Sequence, residues 1–370
     1  MNVTQSTPST ATADRPPTVM TYREALARAM REALAANPRA IIMGQGVDDQ
    51  KGTFGTTLHL DREFGTNRVF DLPLAEEGTT GIAIGAALNG MYPIQTHIRA
   101  DFILLAMNQL INLAAKYRYM FGGRFHVPML VRLVVGLSWG QGAQHSQSLQ
   151  SLFGHIPGLT VIMPSHPATI LDSYRHAVTQ HQGPVISIEH RLMYDLQFTM
   201  GSHHENGGNP LMTSYVVRPG GDVTIAATSI MVLEALRAAE HLQNAAGIDC
   251  EVIDLHSISH PDRKAVLDSV RKTRRLIVAD TSWSAYGVAA EVARWIVESD
   301  PSVLAKPVKS VGMAPAPCPT AKTLEDLYYP NLQTLSHEIA TLVLGKVNHG
   351  VELPCEKSMA DVYKRFRGPF

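Results

Sequence analysis

The chain has 370 residues, 45% of them hydrophobic and 18% charged, which is enough apolar material for two folded cores. Its 32 basic and 33 acidic residues leave a net charge of -1, so it lacks the global basic field that a dedicated nucleic-acid binder uses. Cys250, Cys318 and Cys355 are odd in number and far apart, which fits neither a disulfide framework nor a metal-ligand spacing. A reducing cytoplasm is the expected compartment.

Residues 1–18 are rich in Thr, Ser and Pro without an apolar core, and read as a disordered arm rather than a signal peptide. No apolar run approaches the roughly 20 residues that a bilayer-crossing helix needs. Thr21-Tyr22-Arg23-Glu24 is a capping box that opens a helix with the stripe Leu26, Met30 and Leu34, ending near Asn37-Pro38. Ala40 to Met43 reads as a short buried strand, followed by a Gly/Asp-rich loop to Thr57 and another strand near Val69. Tyr92 to Ile98 is the next strand, and Asp101 is expected to cap one long helix through Leu104, Met107, Leu110, Ile111 and Ala114. Pro128 to Val134 is a continuous apolar strand of the kind covered on both faces, and it leads into a loop from Gly136 to Gln147. A strand at Thr160 to Met163, a helix from Pro167 to Val178 and a strand at Pro184 to Ile188 follow. Strands alternating with helices predict a parallel α/β sheet.

The first unit is expected over 19–200, with a polar linker over 201–215 that contains His203-His204. Those histidines lack further ligands at metal spacing and read as solvated. A second α/β unit is expected over 216–346. Its strands lie at Asp222 to Thr228, Glu251 to Asp254 and Arg275 to Ala279, and its helices at Met231 to Asn244, Val288 to Ile296 and Leu332 to Leu344. His256 and His260 read as capping or surface residues. Residues 347–370 read as an extended, charged tail.

Asp71 to Gly90, DLPLAEEGTTGIAIGAALNG, carries the first chemical signal. Glu76 and Glu77 sit at a helix entry, where the helix dipole favours an acid whatever its function. Gly81 and Gly85 lie one turn apart on the same face, at a cost of roughly 1 kcal/mol each relative to Ala. Close backbone approach by another element is the usual reason. A carboxylate sheltered by such a contact suits proton transfer. Ligands in open α/β sheets sit beyond the carboxyl ends of the strands. Three segments should meet there: the Glu76 turn, Arg99-Ala100-Asp101-Phe102, and Gln144-His145-Ser146-Gln147.

Residues 20 to about 345 resemble the β subunit of the E1 component of 2-oxo acid dehydrogenase complexes, of the pyruvate, branched-chain and acetoin type. These are transketolase-like thiamine diphosphate enzymes. PLAEEGTTGIAIGAALNG, ADFILLAMNQLINLAAKYRYMFGG, GAQHSQSLQSLFGHIPGL, GPVISIEHRLMY and PTAKTLEDLYYP carry the resemblance, in matching order and spacing. It implies an N-terminal pyrimidine-binding domain with a parallel sheet and a C-terminal transketolase-like α/β domain. Glu76 matches the family glutamate that hydrogen-bonds N1′ of the cofactor's aminopyrimidine. Phe102 matches the aromatic that packs on that ring, and Leu74 a further cofactor contact. His145 matches the loop histidine facing substrate, with His97, Arg99 and Gln144 as further substrate-side candidates.

The family binds the diphosphate and Mg2+ through a GDG motif on the other subunit, and this chain has no GDG. The resemblance therefore implies an α partner that supplies that half of the site, as an α2β2 assembly, and a lipoyl-bearing E2 acceptor. The chain itself holds no metal in this reading. Two departures matter. Gln45 stands in Gly44-Gln45-Gly46-Val47 where relatives have an acidic residue, and Arg99 and His97 replace apolar or small residues. A buried Arg99 would favour a carboxylate-bearing or more polar substrate; its alternative is a pair with Asp101. Two rival readings stay open, a stand-alone two-subunit carboligase of the transketolase type and a non-catalytic regulatory partner.

Overall fold

The computed structural model describes residues 18–136, 140–200 and 208–356. Most of the N-terminal arm, His203-His204, part of the Gly136–Gln147 loop and the end of the tail lie outside the described residues. Thr21 forms the expected capping box and opens the Tyr22–Ala36 helix, which buries Leu26, Met30 and Leu34. Strand β1 (Val19–Thr21) pairs antiparallel with β8 (Gln197–Thr199), a pairing that brings the two ends of the first unit together.

The first sheet holds β2 (Ala40–Gly44), β3 (Val69–Asp71), β4 (Tyr92–His97), β5 (Met129–Val135), β6 (Thr160–Ile162) and β7 (Pro184–His190). They run in the order β3-β2-β4-β5-β7-β6, with every pairing parallel. β5 and β7 are buried along their whole length, as expected of strands covered on both faces. The second sheet holds β9 (Tyr215–Arg218), β10 (Val223–Ala227), β11 (Cys250–Asp254), β12 (Leu276–Trp283) and β13 (Lys309–Met313). Its order is β13-β12-β10-β11-β9, with β9 antiparallel at the edge. The expected two-unit α/β architecture is present.

The units are welded at the carboxyl edge of the second sheet. Gln150 donates to Asp280 Oδ1 at 2.7 Å, and Ser165 donates to Asp254 Oδ2 at 2.6 Å. Ile230, Met313, Tyr328 and Tyr329 share a hydrophobic core with Tyr22, Leu192 and Tyr194. That edge, open to ligands in many α/β sheets, is spent here on docking.

The long helix expected from Asp101 to Ala114 is a correction. Ala100–Ala106 is a 3-10 helix and Gln109–Ala114 a π-helix. Ala115 N–H reaches back five residues to Leu110 at 3.0 Å, and Gly158 packs so tightly that a Cβ there would lie 2.1 Å from Ala115 O. The close contact falls at the end of the π segment, a tertiary feature that periodicity alone cannot report. Asp101 does not cap this segment. His256 is a second correction: it is fully buried, with Nε2 3.0 Å from Ser173 Oγ. A third concerns the glycines. A Cβ on Gly81 would meet Gln109 Oε1 only at 3.6 Å, and one on Gly85 would meet nothing within 4 Å. Among the described residues, no element packs close enough to require them.

Candidate active site

Chain connectivity locates the crevice. From β2 the chain passes to β3 on one side and then to β4 on the other, so the order reverses between β2 and β4. A crevice opens at the carboxyl ends of strands at such a reversal. Those ends carry Gly44-Gln45 and His97. A Cβ on Gly44 would lie 2.3 Å from Thr96 O, so only glycine lets the two strands approach there. Asp71, ending β3, accepts the N–H groups of Gly46 at 3.1 Å and Val47 at 2.6 Å and so fixes the loop after Gln45.

Glu76 is the first residue of the Glu76–Leu88 helix, whose N-cap Ala75 supplies no side-chain cap. Two carboxylates in the first turn offset the exposed N–H groups electrostatically. The turn is pinned to β4, where the Gln95 amide donates to Thr80 Oγ1 at 3.0 Å and Thr79 Oγ1 at 3.4 Å. Thr79 in turn donates to Glu76 O at 3.3 Å. The Glu76 side chain is 7% exposed, and Gln45 Nε2 donates to its Oε1 at 2.9 Å.

His97 lies 2% exposed beside this pair, and neither ring nitrogen has a hydrogen-bond partner among the described residues. Burial pushes its pKa down to about 4 although the Glu76 charge opposes the shift, so the imidazole is neutral at pH 7. Arg99 is buried as well. Desolvation lowers its pKa to about 10 while Asp101 pulls it up and Arg191 pushes it further down, and it remains a cation.

A second group sits around Phe102. Asp101 accepts both the backbone N–H of Gln147, at 3.1 Å, and its side-chain amide, at 3.0 Å. Tyr329 from the second unit donates to Ser146 O at 3.2 Å. Held from both sides, the loop places His145 edge-on to Phe102, with ring centroids 5.2 Å apart and planes at 80°. Both rings are half-buried, whereas Gln144 is exposed. Leu74, in the turn before Glu76, is 80% exposed.

The structure therefore gathers Glu76 with His97, and Phe102 with His145. Sequence reasoning singled out Gln45 only as a departure and missed that it binds Glu76. Its place one residue beyond a strand at the reversal point was the available signal. The grips on the 144–147 loop by Asp101 and Tyr329 had no signal in the sequence. Neither did Arg191, whose guanidinium lies 4.9 Å from the Phe54 ring centroid and 5.0 Å from that of Tyr194.

These residues fit an aminopyrimidine. The ring needs a carboxylate at one nitrogen, polar atoms near its exocyclic amine and an aromatic neighbour. Glu76 Oε2 accepts no hydrogen bond among the described residues, and the buried His97 nitrogens and Gln95 Oε1 are unpaired. Among the described residues no three His, Cys, Asp or Glu side chains form a potential metal site, and no helix is long and apolar enough to cross a membrane.

Known proteins agree with this architecture. The transketolase pyrimidine-binding domain family matches residues 18–197, and the transketolase C-terminal domain family matches 213–335. A solved structure described as a split-gene transketolase, inactive beta4 tetramer, superposes with a TM-score of 0.67 over 89% of this chain and 98% of its own, at 22% identity. That likeness speaks for the fold. The pyruvate dehydrogenase E1 component subunit beta-2, mitochondrial, of Oryza sativa subsp. japonica is 36% identical over 85% of this chain and 84% of its own length. The corresponding subunit beta of Rickettsia felis is 35% identical over 84% of this chain and 94% of its own. The chain belongs to the pyruvate dehydrogenase E1 β-subunit family, whose members are thiamine diphosphate-dependent 2-oxo acid dehydrogenase subunits with transketolase-type domains.

Proposed function

We propose that this chain is the β-type subunit of a 2-oxo acid dehydrogenase E1, with Glu76 as the group that activates the aminopyrimidine of thiamine diphosphate. The single observation behind this reading is the sheltered Glu76 carboxylate at the reversal between β2 and β4, with one oxygen held by Gln45 and the other unclaimed among the described residues. When bound, the cofactor supplies the electron sink for loss of CO2 from a 2-oxo acid. Glu76 holds or gives a proton at the pyrimidine ring nitrogen. Phe102 packs against that ring, with Leu74 a further contact from the turn before the helix. His145, edge-on to Phe102, faces the substrate and aids acyl transfer to a lipoyl acceptor. His97, Arg99 and Gln144 line the substrate side, where the Arg99 cation suits a carboxylate.

The diphosphate and Mg2+ belong to an α partner in an α2β2 assembly, in keeping with the lack of a GDG motif in this sequence. The outer face of the Glu76–Leu88 helix supports such an assembly. Ile82 is 62% exposed beside the open Gly85, and Leu105, Tyr119 and Met120 are further exposed apolar side chains on later segments. Cys250, Cys318 and Cys355 are all free thiols, in keeping with a reducing cytoplasm.

The test is Glu76→Gln in the α/β complex, following deuterium exchange at C2 of bound thiamine diphosphate and turnover of a panel of 2-oxo acids. Loss of a proton-transfer group of this kind costs about 10²–10⁴-fold. Exchange at the wild-type rate would remove Glu76 from the mechanism.

A further inference from the structure

Among the described residues, one side chain hydrogen-bonds the Glu76 carboxylate. Gln45 Nε2 donates to Oε1 at 2.9 Å, and Gln45 itself is fixed through its backbone N–H, which donates to Thr96 O at 3.3 Å. The loop beyond it is locked by the Asp71 carboxylate and by Thr57, whose hydroxyl donates to Val47 O at 2.7 Å. From below, Thr79 and Gln95 fix the backbone of the same helix turn. The amide is thus mounted on a rigid base and aimed at one carboxylate oxygen.

We propose that Gln45 is a positioning residue for the reaction: its amide ties down Glu76 Oε1 so that Oε2 alone is presented to the aminopyrimidine. The proposal rests on the reading of Glu76 given above. Three physical points carry it. An amide N–H only donates, so it fixes the carboxylate as an acceptor and cannot exchange a proton with it. An acid at position 45 would instead share a proton with Glu76, and the pair would titrate together. A carboxylate free to rotate about its last bond would present either oxygen, and orientation of this kind is a large part of what an active site contributes. The neighbouring His97 is uncharged at neutral pH, so Glu76 faces no second charge on that side. A donor amide beside a lone carboxylate is a coherent arrangement. It makes Gln45 a working substitution with its own chemistry.

The experiment measures binding rather than turnover. Thiamine diphosphate and an analogue with carbon in place of pyrimidine N1′ are titrated calorimetrically into the α/β complex. The complexes carry wild-type β chain, Gln45→Met, Gln45→Glu or Glu76→Gln. The affinity ratio of cofactor to analogue isolates the contact at N1′. In the wild type the ratio should exceed one by about two orders of magnitude, as for a hydrogen bond to a charged group. Gln45→Met, similar in length and without a donor, should cut the ratio about tenfold while the analogue binds as before. Gln45→Glu places a second carboxyl beside Glu76, and the ratio should then depend on pH more steeply than in the wild type. Equal loss for both ligands in Gln45→Met, or no loss for either, overturns the positioning role. A wild-type ratio of one overturns the Glu76 assignment itself, and this proposal with it. A ratio that collapses in Glu76→Gln and survives in Gln45→Met overturns the Gln45 proposal alone. Near-ultraviolet circular dichroism and co-elution with the α chain establish that each variant is folded.

Discussion

Glu189 on β7 lies in a fully buried site and accepts four hydrogen bonds. Arg132 on β5 gives two, from Nε at 2.7 Å and Nη2 at 2.9 Å. Tyr174 and Tyr194 give the others, each at 2.6 Å. Arg132 Nη2 also donates to Thr56 Oγ1 at 3.1 Å, which joins the network to the loop that follows Gln45. Glu189→Gln keeps the shape and removes the charge, leaving a guanidinium in the core without a counter-ion. Breaking one side of such a pair costs about 3–5 kcal/mol. At roughly 2–4 °C per kcal/mol for a unit of this size, the melting temperature should fall by about 6–20 °C. Removing both charges with Arg132→Met/Glu189→Leu abolishes the desolvation cost along with the attraction. It should therefore be milder than the single change, even with the Tyr194 hydroxyl left unpaired. Differential scanning calorimetry at fixed scan rate, on all three chains in complex with the partner, reads both effects. A single variant within 2 °C of wild type, or a double variant worse than the single, would refute the argument that an isolated buried cation is the costly species.

Three further outcomes follow from the geometry. Burial raises the Asp254 carboxyl to about 7, against Ser165 and the His256 N–H, which pull it down. With its folded pKa above the unfolded value near 4, the folded state holds the extra proton between those limits, and stability falls as pH rises through 7. Asp254→Asn should accordingly raise the urea midpoint more at pH 8 than at pH 5, and an equal change at both would contradict the assignment. Ser229 sits fully buried at φ 50°, ψ -128° at the start of the Ile230–Ala246 helix. That backbone region is far cheaper for glycine, so Ser229→Gly should stabilise by about 0.5–1 kcal/mol in urea denaturation, and a loss of stability would show that the hydroxyl matters more than the strain. Finally, Ile82→Glu should leave the melting temperature of the isolated β chain within about 1 °C and abolish co-elution with the α chain. Retained co-elution would move the interface elsewhere.

The amphipathic and buried elements were legible because local patterns specify them. The capping box at Thr21 and the apolar runs of β5 and β7 could be read directly, and so could the helix entry at Glu76. Asp101 shows the limit. Its position suggested a cap, yet a loop 46 residues downstream claims its carboxylate, and the segment that follows is 3-10 and then π rather than one α-helix.

The sequence by itself determined which residue types stand where strands meet helices, because periodicity and capping act over one or two turns. Sequence order also placed Glu76, His97 and His145 after successive strands. Only the tertiary structure decided that Gln45 and Glu76, 31 residues apart, share a hydrogen bond, and that His97 is buried beside them with no hydrogen-bond partner among the described residues. The reason is geometric. A parallel sheet brings together the ends of strands that are distant in the chain, and the choice of neighbours depends on crossover order, a property of the whole domain that no local stretch encodes.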